Sequence, residues 1–517
     1  MARAVMLQGT ASNVGKSVLA AALCRIFYRA GYRVAPFKAQ NMALNSGATP
    51  DGGEMGRAQL VQAYAAGVEP RVEMNPVLLK PTAQARSQVV LLGRPLGNVG
   101  AREYHGSLNQ KLWCHVQKAY AALDREFEVI VIEGAGSPAE VNLKDREIAN
   151  MRVAKMAGAP VLLVADIDRG GALAALVGTL ELLEEDEREL VAGLVINKFR
   201  GDRALLQPAL DFLEKKTGKP VLGVIPFLAH GLPEEDSVAL EQVTARPTAP
   251  DEVEIAVVKL PCISNFTDFD ALAREPGVNL RYIEDRNALG DPDLIILPGS
   301  KNTIGDLLWM RQRGLEEAVK RLAAVGTPVV GICGGYQMLG REIADPEHVE
   351  TDYGCIEGMG LLPVRTVFQP VKATNLVEGR VTGMGPFLGP LQGLEVKGYE
   401  IHMGASTAEG RPAFKITRRG HTRVDIDDGA ESDDGLIWGT YIHGIWDNDA
   451  FRHRTLDVLR ARRGLTARAG GLEFAADMER RFDALAATVA RYLDLQRLAA
   501  IMGLERPLTP AGEGFGA

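Results

Sequence analysis

Two short stretches carry the residue types that chemistry needs. In Gly9-Thr10-Ala11-Ser12-Asn13-Val14-Gly15-Lys16-Ser17, glycines that permit tight turns stand beside an amine and a hydroxyl. That set suits the phosphates of a nucleotide: backbone N–H groups and Lys16 meet phosphate oxygens, and the Ser17 hydroxyl meets Mg²⁺. Far downstream, Gly331-Ile332-Cys333-Gly334-Gly335 places a thiol between glycines, and Tyr441-Ile442-His443-Gly444 offers an imidazole. A cysteine at a tight turn that opens a helix is a candidate nucleophile, and His443 is the candidate base among eight histidines.

The elements around these residues determine whether they can act. Residues 4–8 form an apolar run and residues 16–28 a helical pattern, so the first loop lies between a strand and a helix N-terminus, where backbone amides and the helix dipole favour an anion. Further apolar runs at 33–37, 129–132, 161–165, 193–196 and 221–225 alternate with helical patterns. Short unbroken strands of this kind imply a parallel sheet covered by helices on both faces. A second α/β series has strands at 255–260, 294–297, 329–332, 394–398 and 436–442. Between the two series, prolines and acidic residues imply an extended linker.

The expected organisation is therefore a P-loop domain (1–228), a linker (229–251), a thiol domain (252–450) and a helical extension (451–517). In the extension, Phe482, Leu485, Val489 and Leu493 share one helix face, which should pack against the linker or a partner subunit. The chain of 517 residues exceeds the roughly 250–300 at which single cores stop growing.

Strand ends supply further candidates. Glu133 closes an apolar strand before Gly134 and is a candidate Mg²⁺ ligand, or else a turn carboxylate. Asn197 ends another strand, suited either to reading adenine or to turning the chain, and Asp166 is a second strand-end carboxylate. Gly299, in Leu297-Pro298-Gly299-Ser300, and Gly334 are candidates for an oxyanion hole built from backbone N–H groups. His402 is expected to line the thiol site or support its loop.

Five cysteines without a CxxC pair argue against a disulfide framework or structural zinc site and for a reducing cytoplasm. The apolar stretch 159–178 is broken by Asp166, Asp168 and Arg169, so no membrane span is expected, and no signal peptide is visible. A net charge of −8 gives no support to a nucleic-acid partner. Small molecules are the expected partners, and oligomeric state is not legible.

The phosphate loop, with Thr10 where the usual first glycine would stand, resembles the dethiobiotin synthetase group of P-loop enzymes. Gly331-Ile332-Cys333-Gly334-Gly335-Tyr336-Gln337 with a strand-end histidine resembles the triad glutamine amidotransferases, which implies a flavodoxin-like C-terminal domain. The carboxylate usual two residues after the histidine is replaced by Ile445, an absence shared by the corrinoid amidases; Asp447 and Glu400 are the candidates to orient His443. The segments Pro36-Phe37-Lys38-Ala39-Gln40-Asn41 and Met74-Asn75-Pro76, together with Ser87-Gln88-Val89-Val90, resemble the cobyric acid synthases, except around Ala83-Gln84-Ala85-Arg86. That resemblance implies ATP and Mg²⁺ as cofactors, and glutamine and a corrinoid as substrates. It also implies amidation of the b, d, e and g carboxylates of adenosylcobyrinic acid a,c-diamide. Lys38, Lys80 and Arg86 are then candidate partners for corrin carboxylates, and Lys38 and Lys80 also for the γ-phosphate.

Overall fold

The structure, a computed structural model, describes residues 1–83, 86–100, 104, 108–233 and 246–508. Most of the linker expected at 229–251 lies outside the described residues, as do Gln84, Ala85 and the last nine positions.

The first apolar runs form β1 (Arg3–Gly9), β2 (Val34–Phe37), β3 (Val129–Glu133), β4 (Val161–Asp166), β5 (Val191–Phe199) and β6 (Val221–Pro226). They build one parallel sheet in the order β6-β5-β4-β1-β3-β2. All residues of β2 and β3 are buried, as expected of strands covered on both faces. The strand order reverses beside β1, so the C-terminal ends of β1 and β3 open a crevice where ligands of such sheets bind. Helix α1 (Lys16–Arg29) rises directly from that edge, and α2 (Arg57–Ala65) packs against it. Between them and β3, residues 40–100 add small sheets, including a four-stranded one.

The second sheet, parallel except for one edge strand, contains β7 (Val253–Val258), β8 (Val278–Ile283), β9 (Leu294–Leu297) and β10 (Val329–Ile332). The order is β8-β7-β9-β10-β14-β13, where β13 is Ala430–Glu431 and β14 is Ile437–Thr440. The strand expected at 394–398 belongs elsewhere: β11 (Val364–Val381) and β12 (Glu395–Ala408) form a long antiparallel pair in a separate sheet. Its burial alternates along residues 364–369, the pattern of a sheet with one wet face, and that alternation separates it from the fully buried parallel strands.

Helix α3 (Gly334–Leu339) follows β10, and α4 (Asp449–Arg462) packs on the second domain, with Phe451 and Leu459 in its core. Helices α5 (Phe474–Tyr492) and α6 (Leu495–Met502) return instead to the first domain. The apolar face Phe482, Leu485, Val489 and Leu493 meets Leu19, Leu23 and Leu222, and Arg25 of α1 pairs with Asp483 at 2.6 Å and Glu479 at 2.7 Å. So the partner of this stripe is the P-loop domain's own sheet face. Among the described residues no helix is long and apolar enough to cross a membrane.

Candidate active site

The phosphate loop leaves β1 where Thr10 N–H donates to Val164 O at 2.9 Å. Asn13 and Gly15 take positive φ of 58° and 97°, and Gly15 caps α1 without a side-chain hydrogen bond. Glycine is required there twice over, since a Cβ at position 15 would lie 2.2 Å from Asn197 Nδ2. Ser12 and Asn13 are exposed at the loop tip, whereas Lys16 is buried with Nζ on Ala11 O (3.0 Å) and Gly136 O (3.1 Å). Lys198 bonds Asn13 O and Asp166 Oδ2, so Asp166 is held by a lysine beside the loop. Asn197, 5% exposed, donates its amide to Val14 O at 2.8 Å and braces the loop from behind.

Glu133 stands at the C-terminal end of β3, 1% exposed. It accepts from Ser17 Oγ at 2.7 Å, Lys38 Nζ at 2.8 Å and Gln62 Nε2 at 2.6 Å. Burial alone would raise its pKa, but the Lys38 ammonium and these hydrogen bonds hold it below the usual carboxylate value. The hydroxyl and carboxylate oxygens of Ser17 and Glu133, one hydrogen bond apart at the phosphate loop, fit a Mg²⁺ that takes its other ligands from phosphate and water. Among the described residues there is no group of three or more His, Cys, Asp or Glu that could hold a metal alone.

The lysines grouped by sequence reasoning separate. Lys38 joins Glu133, whereas Lys80 is 3% exposed in another place, bonded to Glu54 Oε1 (2.7 Å) and Ser46 Oγ (2.8 Å). Lys372 of the second domain pairs with the other Glu54 oxygen, so this buried cluster crosses the domain interface. Arg86 is exposed beside the undescribed pair at 84–85.

Cys333 sits between β10 and α3 with φ 50° and ψ −105°. A non-glycine residue there is strained, and the thiol is held 3.5 Å from Ile401 O. Its flanking glycines are needed for space: a Cβ at Gly335 would lie 2.0 Å from Leu297 O, and one at Gly334 2.8 Å from Ser300 N. The 298–300 turn is thus pressed against the start of α3, and a Cβ on Gly299 would approach His443 Cε1 at 3.0 Å. Gly299 and Gly334 therefore border the same small space as Cys333 and His443.

His443 is 1% exposed and faces Cys333. Its Nδ1 lies 2.6 Å from Asp268 Oδ2, and Asp268 Oδ1 accepts from Gly444 N at 3.0 Å. Burial would depress the imidazole, but Asp268 first and Cys333 next push its pKa up to about 10. A histidine made this basic is suited to take the thiol proton and retain it as imidazolium.

Asp268 thus does what Asp447 and Glu400 were expected to do. Glu400 is occupied by Arg419 (2.8 Å) and Asn375 (2.6 Å), and Asp447 is exposed to solvent while Asp268 holds His443 Nδ1. The sequence signal for Asp268 is its position: Ser264-Asn265-Phe266-Thr267-Asp268 is a polar, aperiodic loop after the first strand of the second domain, at the same sheet edge as Cys333. His402 stacks on Tyr441 with ring centroids 3.8 Å apart, and Tyr441 accepts from Gln337 Nε2 at 3.1 Å. It supports the wall beside the thiol.

Residues 5–234 match the CobQ/CobB/MinD/ParA nucleotide binding domain, and residues 254–451 match the CobB/CobQ-like glutamine amidotransferase domain. The molecule is therefore an enzyme of the glutamine-dependent amidating class, with a nucleotide-binding half and a glutaminase half. It is 75% identical to a cobyric acid synthase of Moorella thermoacetica, over 99% of both chains. It is 58% identical to that of Pelotomaculum thermopropionicum over the whole of both, and 52% identical to that of Salmonella typhimurium over 97% of this chain and 99% of the relative. The chain belongs to the cobyric acid synthase family.

Proposed function

We propose that this protein uses ATP and glutamine to amidate the b, d, e and g carboxylates of adenosylcobyrinic acid a,c-diamide, yielding adenosylcobyric acid. The observation that carries the proposal is the pairing of a phosphate site at Lys16, Ser17, Lys38 and Glu133 with a Cys333–His443–Asp268 triad in one chain.

In the thiol domain, Cys333 Sγ attacks the side-chain amide carbon of glutamine while His443 takes its proton. The oxyanion is met by N–H groups of Gly299 and Gly334. His443 then returns the proton to the departing nitrogen, ammonia leaves, and water hydrolyses the thioester to glutamate. In the nucleotide domain a corrin carboxylate oxygen attacks the γ-phosphorus of ATP and ADP leaves, giving an acyl phosphate. Ser17 and Glu133 would hold a Mg²⁺, which would supply positive charge against the phosphoryl group. Lys16 and Lys38 add to that charge, and Asn197 braces the loop through its hydrogen bond to Val14 O. Ammonia attacks the acyl carbon and phosphate leaves. Because ammonium is not a nucleophile, ammonia must pass between the domains before it meets bulk water.

The test is product mass over time with the a,c-diamide, glutamine and ATP. Four successive replacements of OH by NH₂ are expected. Amidation of undecorated cobyrinic acid that stops at two amides, with no reaction of the a,c-diamide, would instead mark a diamide-forming relative, and the absence of glutaminase activity together with dependence on DNA or a membrane would mark a switch protein.

A further inference from the structure

Helix α2 touches both sites, with its first residue at one and its middle at the other. Gln59 and Gln62 point to Glu133, at 3.4 and 2.6 Å from its Oε2. Arg57, at the start of the same helix, crosses the domain boundary and bonds the Tyr399 hydroxyl. The Arg57–Gln62 span is five residues, about 7.5 Å of helix at 1.5 Å per residue. Such a length is too short to bend freely.

Tyr399 is tied to the catalytic histidine in three ways. Its ring stacks on the His443 ring at 5.1 Å and 16°. Its main chain exchanges two hydrogen bonds with His443, of 3.1 and 2.8 Å. Its hydroxyl lies 3.4 Å from Asp268 Oδ1. A second link runs in parallel: Ser46 N–H donates to Asn265 Oδ1 at 2.9 Å, and Phe266 N–H donates to Asn45 Oδ1 at 3.2 Å. Asn265 is held at a φ of 54° by this reciprocal pair, three residues before Asp268. One link from the nucleotide domain therefore ends on Tyr399, and the other on Asn265 and Phe266, two to three residues before Asp268.

We propose that Arg57 is a positioning residue for the glutaminase triad, acting through Tyr399, and that α2 makes the orientation of His443 depend on the state of the Glu133 site in the other domain. Arg57 touches no reacting atom in this scheme. It fixes the Tyr399 hydroxyl, which fixes the ring over His443 and the Asp268 oxygen that also accepts from Gly444 N. Cation binding at Glu133 competes with Gln62 and Gln59 for its oxygens, and the displaced helix carries Arg57 with it. The proposal rests on the amidotransferase reading above.

The experiment compares wild type, Arg57→Met, Tyr399→Phe and the double variant in the full-length enzyme. Glutamate release without ATP is measured first, then with ATP analogue and Mg²⁺, and amidation from ammonium is measured in parallel. Arg57→Met is expected to lower kcat for glutamine hydrolysis on the order of 10- to 100-fold, the cost of a small misplacement of reacting groups. KM for glutamine and ammonium-driven amidation should stay near wild type, which also shows that the variant is folded. The double variant should lose no more than the worse single one, because both interrupt one chain. Nucleotide should change the wild-type glutaminase rate but not that of Arg57→Met. Additive losses, equal losses with both nitrogen sources, or an unchanged kcat would each overturn the proposal. A wild type that hydrolyses glutamine but amidates nothing would overturn the substrate reading alone, since the glutaminase comparison is read without the corrinoid.

Discussion

The two sites handle their charge in opposite ways. At the phosphate loop, Ser12 and Asn13 open the tip to solvent, Lys16 and Lys38 lie buried behind it, and the buried carboxylate Glu133 is saturated by donors. At the thiol, Cys333, His443 and Asp268 are all nearly inaccessible and the nucleophile is held at a strained φ. An open cationic crevice accepts a polyanion and a large ring, whereas a closed one suits a small neutral amide and keeps water from the thioester until ammonia has left. Substitutions in the two regions should therefore fail differently.

The largest contrast comes from Cys333→Ala and Lys16→Ala. The first should abolish glutamine-dependent amidation, a loss of 10³-fold or more on the order seen for a removed nucleophile. Amidation from concentrated ammonium at alkaline pH should survive. Lys16→Ala should abolish amidation from both nitrogen sources while glutamate release persists at some level. Product analysis with each nitrogen source checks both, and unchanged amidation in Lys16→Ala would discard the phosphate-loop assignment.

Next in size is Asp268→Asn. It keeps the shape but removes the charge that makes His443 basic, and glutaminase kcat should fall on the order of 10²- to 10⁴-fold, as for a triad aspartate. Asp447→Asn, close by but off the imidazole, should fall far less. Equal losses would return the orienting role to Asp447.

What was legible in the sequence follows from the same contrast. The phosphate loop is one contiguous stretch whose glycines, amine and hydroxyl all carry local signal, and the flanking strand and helix form as their periodicity requires. The thiol centre is assembled from residues 268, 299, 333 and 443, four loops joined only by sheet order. Cys333 and His443 announce themselves by their glycines and strand ends, but Asp268 lies 175 positions from its histidine, and no spacing rule spans that gap. The β11–β12 pair was obscured because the apolar run at 394–398 reads the same in a parallel or an antiparallel strand. Lys80 parts from Lys38 for a similar cause: a lysine within an apolar strand gives no sign that a glutamate from another segment will neutralise it.

A packing test of the thiol elbow should show a moderate effect. Gly335→Ala forces a methyl toward Leu297 O, where the gap is 2.0 Å, and the neighbour is backbone that cannot swing aside. Overpacking of this kind costs about 1–3 kcal/mol, read as a lower denaturation midpoint, with glutaminase lost before nucleotide binding. An equal loss of both functions would mean that the two domains unfold as one unit.

The smallest effect concerns the His443–Asp268 pair as a source of stability. The folded pKa of His443 is raised from 6.5 to about 10, so the native state binds the proton more tightly than the unfolded chain. The stabilisation is then fully present below pH 6.5 and is lost progressively as pH rises from 6.5 to about 10. Unfolding free energies of wild type and His443→Gln, measured across that window, should converge toward the alkaline end. Asp447 and the other carboxylates are common to both chains, so their own titrations largely cancel in the difference. A gap between the two chains that stays constant with pH would mean that His443 contributes by packing against Tyr399 and not by charge, and the triad's imidazolium would then have to form only when glutamine binds.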